Sequence, residues 1–291
     1  MTTPNLGLPE IAAAQAQKHV THNEALQILD AVVRTRVISI GDTSPPGSPS
    51  DGDVYIPGAG ATGAWAGLDQ TIVFALDGGW FPITPLAAWI VDNLADGVRY
   101  RYDGSAWRPL MFAQVASKFY PTIGASTASN QPVPDADTLY LTPFECRMKM
   151  TLTSLAIRVV TAGTGSSVKM ALWADKNGRP IGAPLAANNT GAATTSNGTT
   201  VSQAISLTLH PGVYWVGSVH TGSPLPQCVR VANTDSSVSS QMGVSDLTNV
   251  SAIALSIAQA YANDLSALTF TGGESFTDVA SNGVPLIYAG T

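Results

Sequence analysis

Charge is scarce in this sequence. Asp, Glu, Lys and Arg make up 12% of it, against about 25% in an ordinary soluble chain. The net charge is −6, and no two Lys or Arg residues are adjacent. That excludes the contiguous basic run by which many proteins hold nucleic acid. No uninterrupted apolar segment reaches the ~18 residues needed to cross a bilayer as a helix, so membrane insertion is not expected. The first ten residues, Met-Thr-Thr-Pro-Asn-Leu-Gly-Leu-Pro-Glu, lack a basic segment followed by an apolar one, which implies no Sec signal.

Cysteine is also rare. Cys146 and Cys228 are the two in the chain, and they match no metal-binding spacing. They read as buried thiols or as one disulfide. The sequence contains no Gly-x-Ser-x-Gly elbow, no phosphate loop, no His-Glu-x-x-His and no dinucleotide fingerprint. With 4 histidines and 20 acidic residues, most of the latter at turn positions, neither a catalytic nor a metal constellation stands out. No cofactor is implied. A pair of glycosidase carboxylates would leave no sequence trace, so a polysaccharide depolymerase stays as an alternative.

In place of charge the sequence has Gly, Pro, Ser, Thr and Asn, and its pattern is mainly β. The helical exception is near the start. Leu26, Leu29 and Val33 step by three and four, as do Ala25, Ile28 and Val32, making a broad apolar stripe. Thr21-His-Asn-Glu24 has the form of a capping box, so a helix either begins there or runs from about Pro9 to Arg34. Extended backwards, the series passes through His22, His19 and Gln15. Such a stripe lies either on the chain's own β-domain or on other copies of the chain. In the second case Gln15, His19, His22, Leu26, Leu29 and Val33 form the oligomerisation seam, with polar layers that set register.

Residues 37–112 read as a small antiparallel β-domain rich in Trp. Strands are expected at Val37–Ile40 and Asp53–Ile56, flanking a rigid Pro-rich turn at 41–52. Phe74-Ala-Leu-Asp-Gly-Gly-Trp-Phe-Pro82 is echoed by Tyr100-Arg-Tyr-Asp-Gly-Ser-Ala-Trp-Arg-Pro109. Each reads as a hairpin turning on Asp-Gly, a dipeptide suited to the positive φ angles of tight turns. Residues 113–136 read as a linker. Residues 137–291 read as a β-sandwich, jelly-roll-like, with strands expected at 138–141, 148–160, 168–174, 200–209 and 213–219. Weaker candidates lie at 229–232, 252–257, 268–271 and 286–289. A short helix within 255–268 is an alternative to the last part of that pattern.

Exposed indole faces stack on sugar rings, while neighbouring carboxylates and amides bind the hydroxyls. On that basis Trp65 in the small domain, and Trp173, Asp175, Asn177, Arg179, His220 and Gln227 at sandwich loops, are the candidate carbohydrate-binding residues. The competing reading makes the tryptophans core and the loops plain turns, because a small domain needs large aromatics simply to fill its interior.

The stretch Gln15-Ala-Gln-Lys-His-Val-Thr-His-Asn-Glu-Ala-Leu26, with Pro45-Pro-Gly-Ser-Pro-Ser-Asp-Gly-Asp-Val-Tyr-Ile56, Ala61-Thr-Gly-Ala-Trp-Ala-Gly67 and Asp103-Gly-Ser-Ala-Trp107, resembles the DUF2793 proteins over about residues 5–110. These occur in tailed phages, prophages and gene transfer agents. Pro85-Leu-Ala-Ala-Trp89 departs from the pattern, since relatives tend to carry Gly before that Trp. More loosely, Val168-Lys-Met-Ala-Leu-Trp-Ala-Asp175 and Leu209-His-Pro-Gly-Val-Tyr-Trp-Val216 resemble β-sandwich modules of phage tail fibres. The resemblance implies a spike or fibre on a virion, made in the bacterial cytoplasm and binding host-surface glycan without turnover. It also implies a homotrimer, with residues 1–36 as arm and anchoring helix that contact other virion proteins and residues 137–291 as the receptor- or carbohydrate-binding sandwich that meets the host surface. A purely structural baseplate or vertex component is a further alternative.

Overall fold

The computed structural model describes residues 3–4, 8, 18–33, 35–110, 118–121, 126–127, 132–231, 254–279, 284–285 and 287–291. The chain divides into two units, Met1–Ala113 and Gln114–Thr291. The helix and the small β-domain therefore share one unit. Part of the expected linker belongs to the other, where Phe119–Pro121 is a paired strand.

In the first unit the helix α1 spans Lys18–Val32. It begins before Thr21, so the Thr-x-x-Glu pattern lies inside the helix and does not cap its start. Asp30 and Ala31 are buried, with Asn23, Leu26 and Gln27 half-buried on the same side. This inward face is partly polar, and the Thr3 hydroxyl donates to buried Asp30 at 2.8 Å. The expected stripe is consequently split. Ile28, Leu29 and Val33 point to solvent, 48%, 45% and 59% exposed.

The strands of this unit are β1 (Arg36–Val37), β2 (Val54–Tyr55), β3 (Ile72–Leu76), β4 (Gly79–Ile83), β5 (Ile90–Asn93), β6 (Arg99–Tyr102) and β7 (Trp107–Pro109). They form a three-stranded sheet, β2-β3-β4, and a four-stranded one, β1-β5-β6-β7, in which β1 runs parallel to β5. Ile72 and Phe74 join a core with Val37, Val54, Ile56, Val91 and Trp107. Val73 and Tyr55 join a second with Ala61 and Trp65. Both faces of β3 are thus covered, which is why Ile-Val-Phe-Ala-Leu is apolar throughout and does not alternate.

The two halves of the internal repeat turn differently. Asp77 and Gly78 take φ of 49° and 75° between paired Leu76 and Gly79, the two-residue hairpin expected of Asp-Gly. At the second copy Tyr102 pairs with Trp107, leaving a four-residue loop. There the Asp103 carboxylate accepts from Ser105 N and Ala106 N, both at 2.8 Å. Strand β5 was not among the expected strands.

The second unit contains β8 (Phe119–Pro121), β9 (Ser126–Thr127), β10 (Thr138–Cys146), β11 (Met150–Thr161), β12 (Ser167–Lys176), β13 (Arg179–Ala193), β14 (Thr200–Leu209) and β15 (Gly212–Thr221). It continues with β16 (Gln227–Cys228), β17 (Arg230–Val231), β18 (Ala254–Ala258), β19 (Thr277–Val279) and β20 (Tyr288–Gly290). One sheet runs β13-β12-β15-β10-β18-β19 and the other β14-β11-β20-β8, with β16 also on β11. Phe144, Leu152, Leu155, Ile157, Met170, Leu172 and Val216 pack in one core. Alternate residues of the larger sheet, Leu141, Ala171, Trp173 and Trp215, pack instead with Leu255, Leu265 and Phe270 in another. The larger sheet is therefore covered on both faces.

The longest strand, β13, was not expected. Gly182, Pro184, Asn188, Asn189 and Gly191 break its pattern, and its pairing with β12 carries two register shifts that absorb the breaks. In 268–271, Phe270 makes a bridge to Gly182 instead of a strand. The short turn of helix sits at Leu265–Ala267, where the Asp264 side chain caps Ser266 N. Cys146 and Cys228 are buried free thiols.

Candidate functional site

In the first unit the segment after β1 runs beside β2: Ile38 N donates to Val54 O at 2.8 Å and Gly41 N to Ile56 O at 2.9 Å. The Pro-rich loop that follows is pinned to the loop after β2. Gly58 N donates to Asp42 O at 2.9 Å and Thr62 N to Thr43 O at 2.8 Å. The contact is so close that a Cβ at Gly58 would lie 2.3 Å from Gly41 O. Only glycine fits there.

This pinning holds open a groove of about 540 Å³. Ser39, Asp42 and Ser44 supply oxygens to it, Ile38, Pro45, Pro46 and Leu94 form apolar walls, and Tyr55 and Ala95 complete the lining. The Ser39 hydroxyl donates to the Asp42 carboxylate. Burial, and then the charges of Asp53 and Asp42, push the Tyr55 phenol above its ordinary value, so it remains a hydroxyl. The lining includes one carboxylate and no histidine or cysteine. Such a surface can accept from and donate to hydroxyl groups while seating C–H faces on proline. With a single carboxylate, the lining does not hold the facing carboxylate pair of most glycosidases.

The residues expected to bind sugar do not converge. Trp65 is fully buried, its ring 5.4 Å from Tyr55 and 5.1 Å from Trp80. Trp173 is fully buried as well, beside Phe270 at 5.4 Å. Neither offers a stacking face, because both indoles are needed as core volume. Asp175 is a structural acceptor, taking Trp215 Nε1 at 2.8 Å and Gly178 N at 3.3 Å. Asn177 and Arg179 are exposed at the β12–β13 turn, while Gln227 is half-buried on β16. His220 is wholly buried, its pKa pushed down to about 3 by desolvation.

His220 pairs with Val168 at the start of β12, whereas Arg179 pairs with Lys176 at its end. Eight residues of strand separate the two, about 27 Å. Asn177 and Arg179 therefore share no site with His220. Of the expected oligomerisation residues, Gln15 and the His19 side chain lie outside the described residues. His22, Leu29 and Val33 are exposed and Leu26 is half-buried. The groove residue Asp42 was not singled out from sequence, although the rigid 41–52 turn between two strands was a signal for it; Tyr55 was one of the small-domain aromatics read as either a binding face or core.

Residues 22–108 match the family described as protein of unknown function (DUF2793). The matched span contains the groove and, but for Pro109, the strands of both sheets of the first unit, and it stops short of the sandwich. No curated protein matches the chain.

Proposed function

We propose that this chain is a particle-borne attachment protein, a spike or fibre subunit that binds host-surface polysaccharide without cleaving it. The observation that carries the reading is the groove: an open trough whose lining combines hydroxyl and carboxylate oxygens with proline rings. It suits a hydroxyl-rich polymer passing through. The resemblance of this region to phage and gene-transfer-agent proteins supports a place on a particle. Exposed Ile28 and Leu29 of α1, with Val33 just after it, support assembly into a homo-oligomer, a trimer in the fibre reading, in which several weak sites act together. A purely structural part in particle assembly is the competing reading.

The test is binding of the full chain to isolated host polysaccharide. Asp42→Ala is expected to weaken it about tenfold, as loss of a charged hydrogen-bond acceptor does. Reducing ends released from the polysaccharide would overturn the reading in favour of a depolymerase. Particles that fail to assemble without the protein would favour the structural reading.

A further inference from the structure

The arginines of the first unit are separated in sequence, but strand pairing gathers four of them. Arg36 lies opposite Asp92, and Asp92 opposite Arg99. Ile90 pairs with Arg101 and Arg101 with Arg108. Leu110 N donates to Arg99 O at 2.9 Å, placing Leu110 at the end of the first row. All seven residues are exposed. The alternate residues Val37, Val91, Tyr100 and Trp107 face the core. The outer face of the four-stranded sheet thus holds four of the chain's 14 Lys and Arg residues, in a protein whose net charge is −6.

Two of these arginines already have carboxylates. Arg99 makes two bonds to Asp92, at 2.7 and 3.0 Å, and Arg108 one to Asp103 at 2.9 Å. Both pairs are solvent-exposed, the kind that contributes little and exchanges readily. Among the described residues, no ion pair involves Arg36 or Arg101. From strand spacing and rise, these two positions lie about 12 Å apart.

We infer that this face binds a carboxylate-bearing polysaccharide. The assignment of a sugar polymer rests on the attachment reading above; the charge of that polymer is what the face adds. Planar guanidinium groups match carboxylates in two-point contacts. Widely spaced free arginines, separated by Asp92, suit a chain whose acidic groups are isolated by neutral sugars. They do not suit DNA, with one negative charge per ~1.7 Å of duplex. The groove lies at the ends of β1 and β5, since Ile38 and Ser39 follow β1 directly and Leu94 and Ala95 follow β5. A polymer gripped by its carboxylates on the sheet can present neutral hydroxyls to Asp42 and the serines.

The experiment is affinity electrophoresis of the full chain through gels containing polygalacturonate or neutral dextran. Polygalacturonate should retard the protein and dextran should not, with retardation lost in high salt. Arg36→Gln with Arg101→Gln should weaken the interaction about fivefold, as loss of two exposed ion pairs does. Arg147→Gln with Lys149→Gln, which removes equal charge from the other unit, should leave it unchanged. Equal retardation by both polymers, or an equal effect of the two double variants, overturns the inference. So does tighter binding to a DNA oligonucleotide than to polygalacturonate. A fall in the mass of the assembly in the Arg36/Arg101 variant would instead make this face a contact between copies. Binding of all variants to host polysaccharide is measured in parallel. Undiminished binding there removes the acidic-polymer inference and leaves attachment standing, whereas no binding by the unaltered protein removes attachment itself.

Discussion

Lys169 and Tyr261 form a clasp. The Lys169 ammonium donates to Tyr261 O at 2.7 Å and lies 4.7 Å from the centre of the same residue's ring. A further bond to Asn263 O at 3.1 Å holds the next turn of chain. Lys169 is itself buried, on the face of β12 that also carries Trp173. Its charge is satisfied by carbonyl oxygens and an aromatic ring, with the Asp264 carboxylate close enough to interact through charge alone. Replacing it by Met keeps the stem and removes the donors. We expect Lys169→Met to lower stability by about 2 kcal/mol, the scale of hydrogen bonds made by a charged group. Urea unfolding followed by tryptophan fluorescence measures this; unchanged stability would mean that the apolar contacts alone hold the 259–264 segment.

His220 makes stability depend on pH. Burial lowers its folded-state pKa to about 3, from an ordinary 6.5, and among the described residues neither ring nitrogen has a hydrogen-bond partner. Between these values the unfolded chain takes up a proton that the folded chain refuses. Stability from this residue is complete above pH 6.5 and is lost as pH falls towards 3, at up to about 1.4 kcal/mol per pH unit. The His220→Leu variant should lose less stability than the unaltered protein between pH 7 and pH 4.5. Parallel pH profiles would show that other groups govern acid unfolding.

The two thiols should be unreactive in the folded protein. Burial raises Cys146 to about 11 and Cys228 to about 12, so almost no thiolate exists at pH 8. Labelling with a disulfide reagent is expected to be slow natively and to reach two thiols per chain in denaturant. One thiol or none in denaturant, without prior reduction, would indicate oxidation.

Gly217 is a packing glycine. A Cβ there would stand 2.9 Å from Leu139 Cδ1, 2.9 Å from Leu141 Cδ2 and 3.0 Å from Trp173 Cζ3. The missing side chain gives the Trp173 ring its place on the sheet. Gly217→Ala should cost about 1–3 kcal/mol through overpacking, read as a lower denaturation midpoint. An unchanged midpoint would show that the two leucines and the indole shift without cost.

Local patterns carried much of the architecture. Thr200–Leu209 was legible from alternation alone, and Asp77-Gly78 announced its turn because few dipeptides tolerate two positive φ angles. The missed elements have physical reasons. Strand β13 contains glycines, a proline and paired asparagines that weaken an isolated strand, and it forms because β12 provides a complete neighbour. The Thr21–Glu24 pattern marked a helix without marking its start. Alternation along a strand says which residues share a face, but not whether that face meets water or another layer. Trp173 was left open between binding platform and core for that reason; what buries it is Leu265 and Phe270, some ninety residues away.

The sequence alone determined a helix followed by β-structure, a hairpin turn, a tryptophan-rich small domain and a sandwich-like second half, all of which follow from short-range periodicity and turn chemistry. Only the tertiary structure decided that Ile28, Leu29 and Val33 lie outside the core of their own chain, that Trp65, Trp173 and His220 are interior, and that Arg36 shares a surface with Arg99, Arg101 and Arg108. The shared arginine surface depends on register between β1 and a strand more than fifty residues further along the chain. A shift of one residue in that register would turn the arginines inward and the core outward.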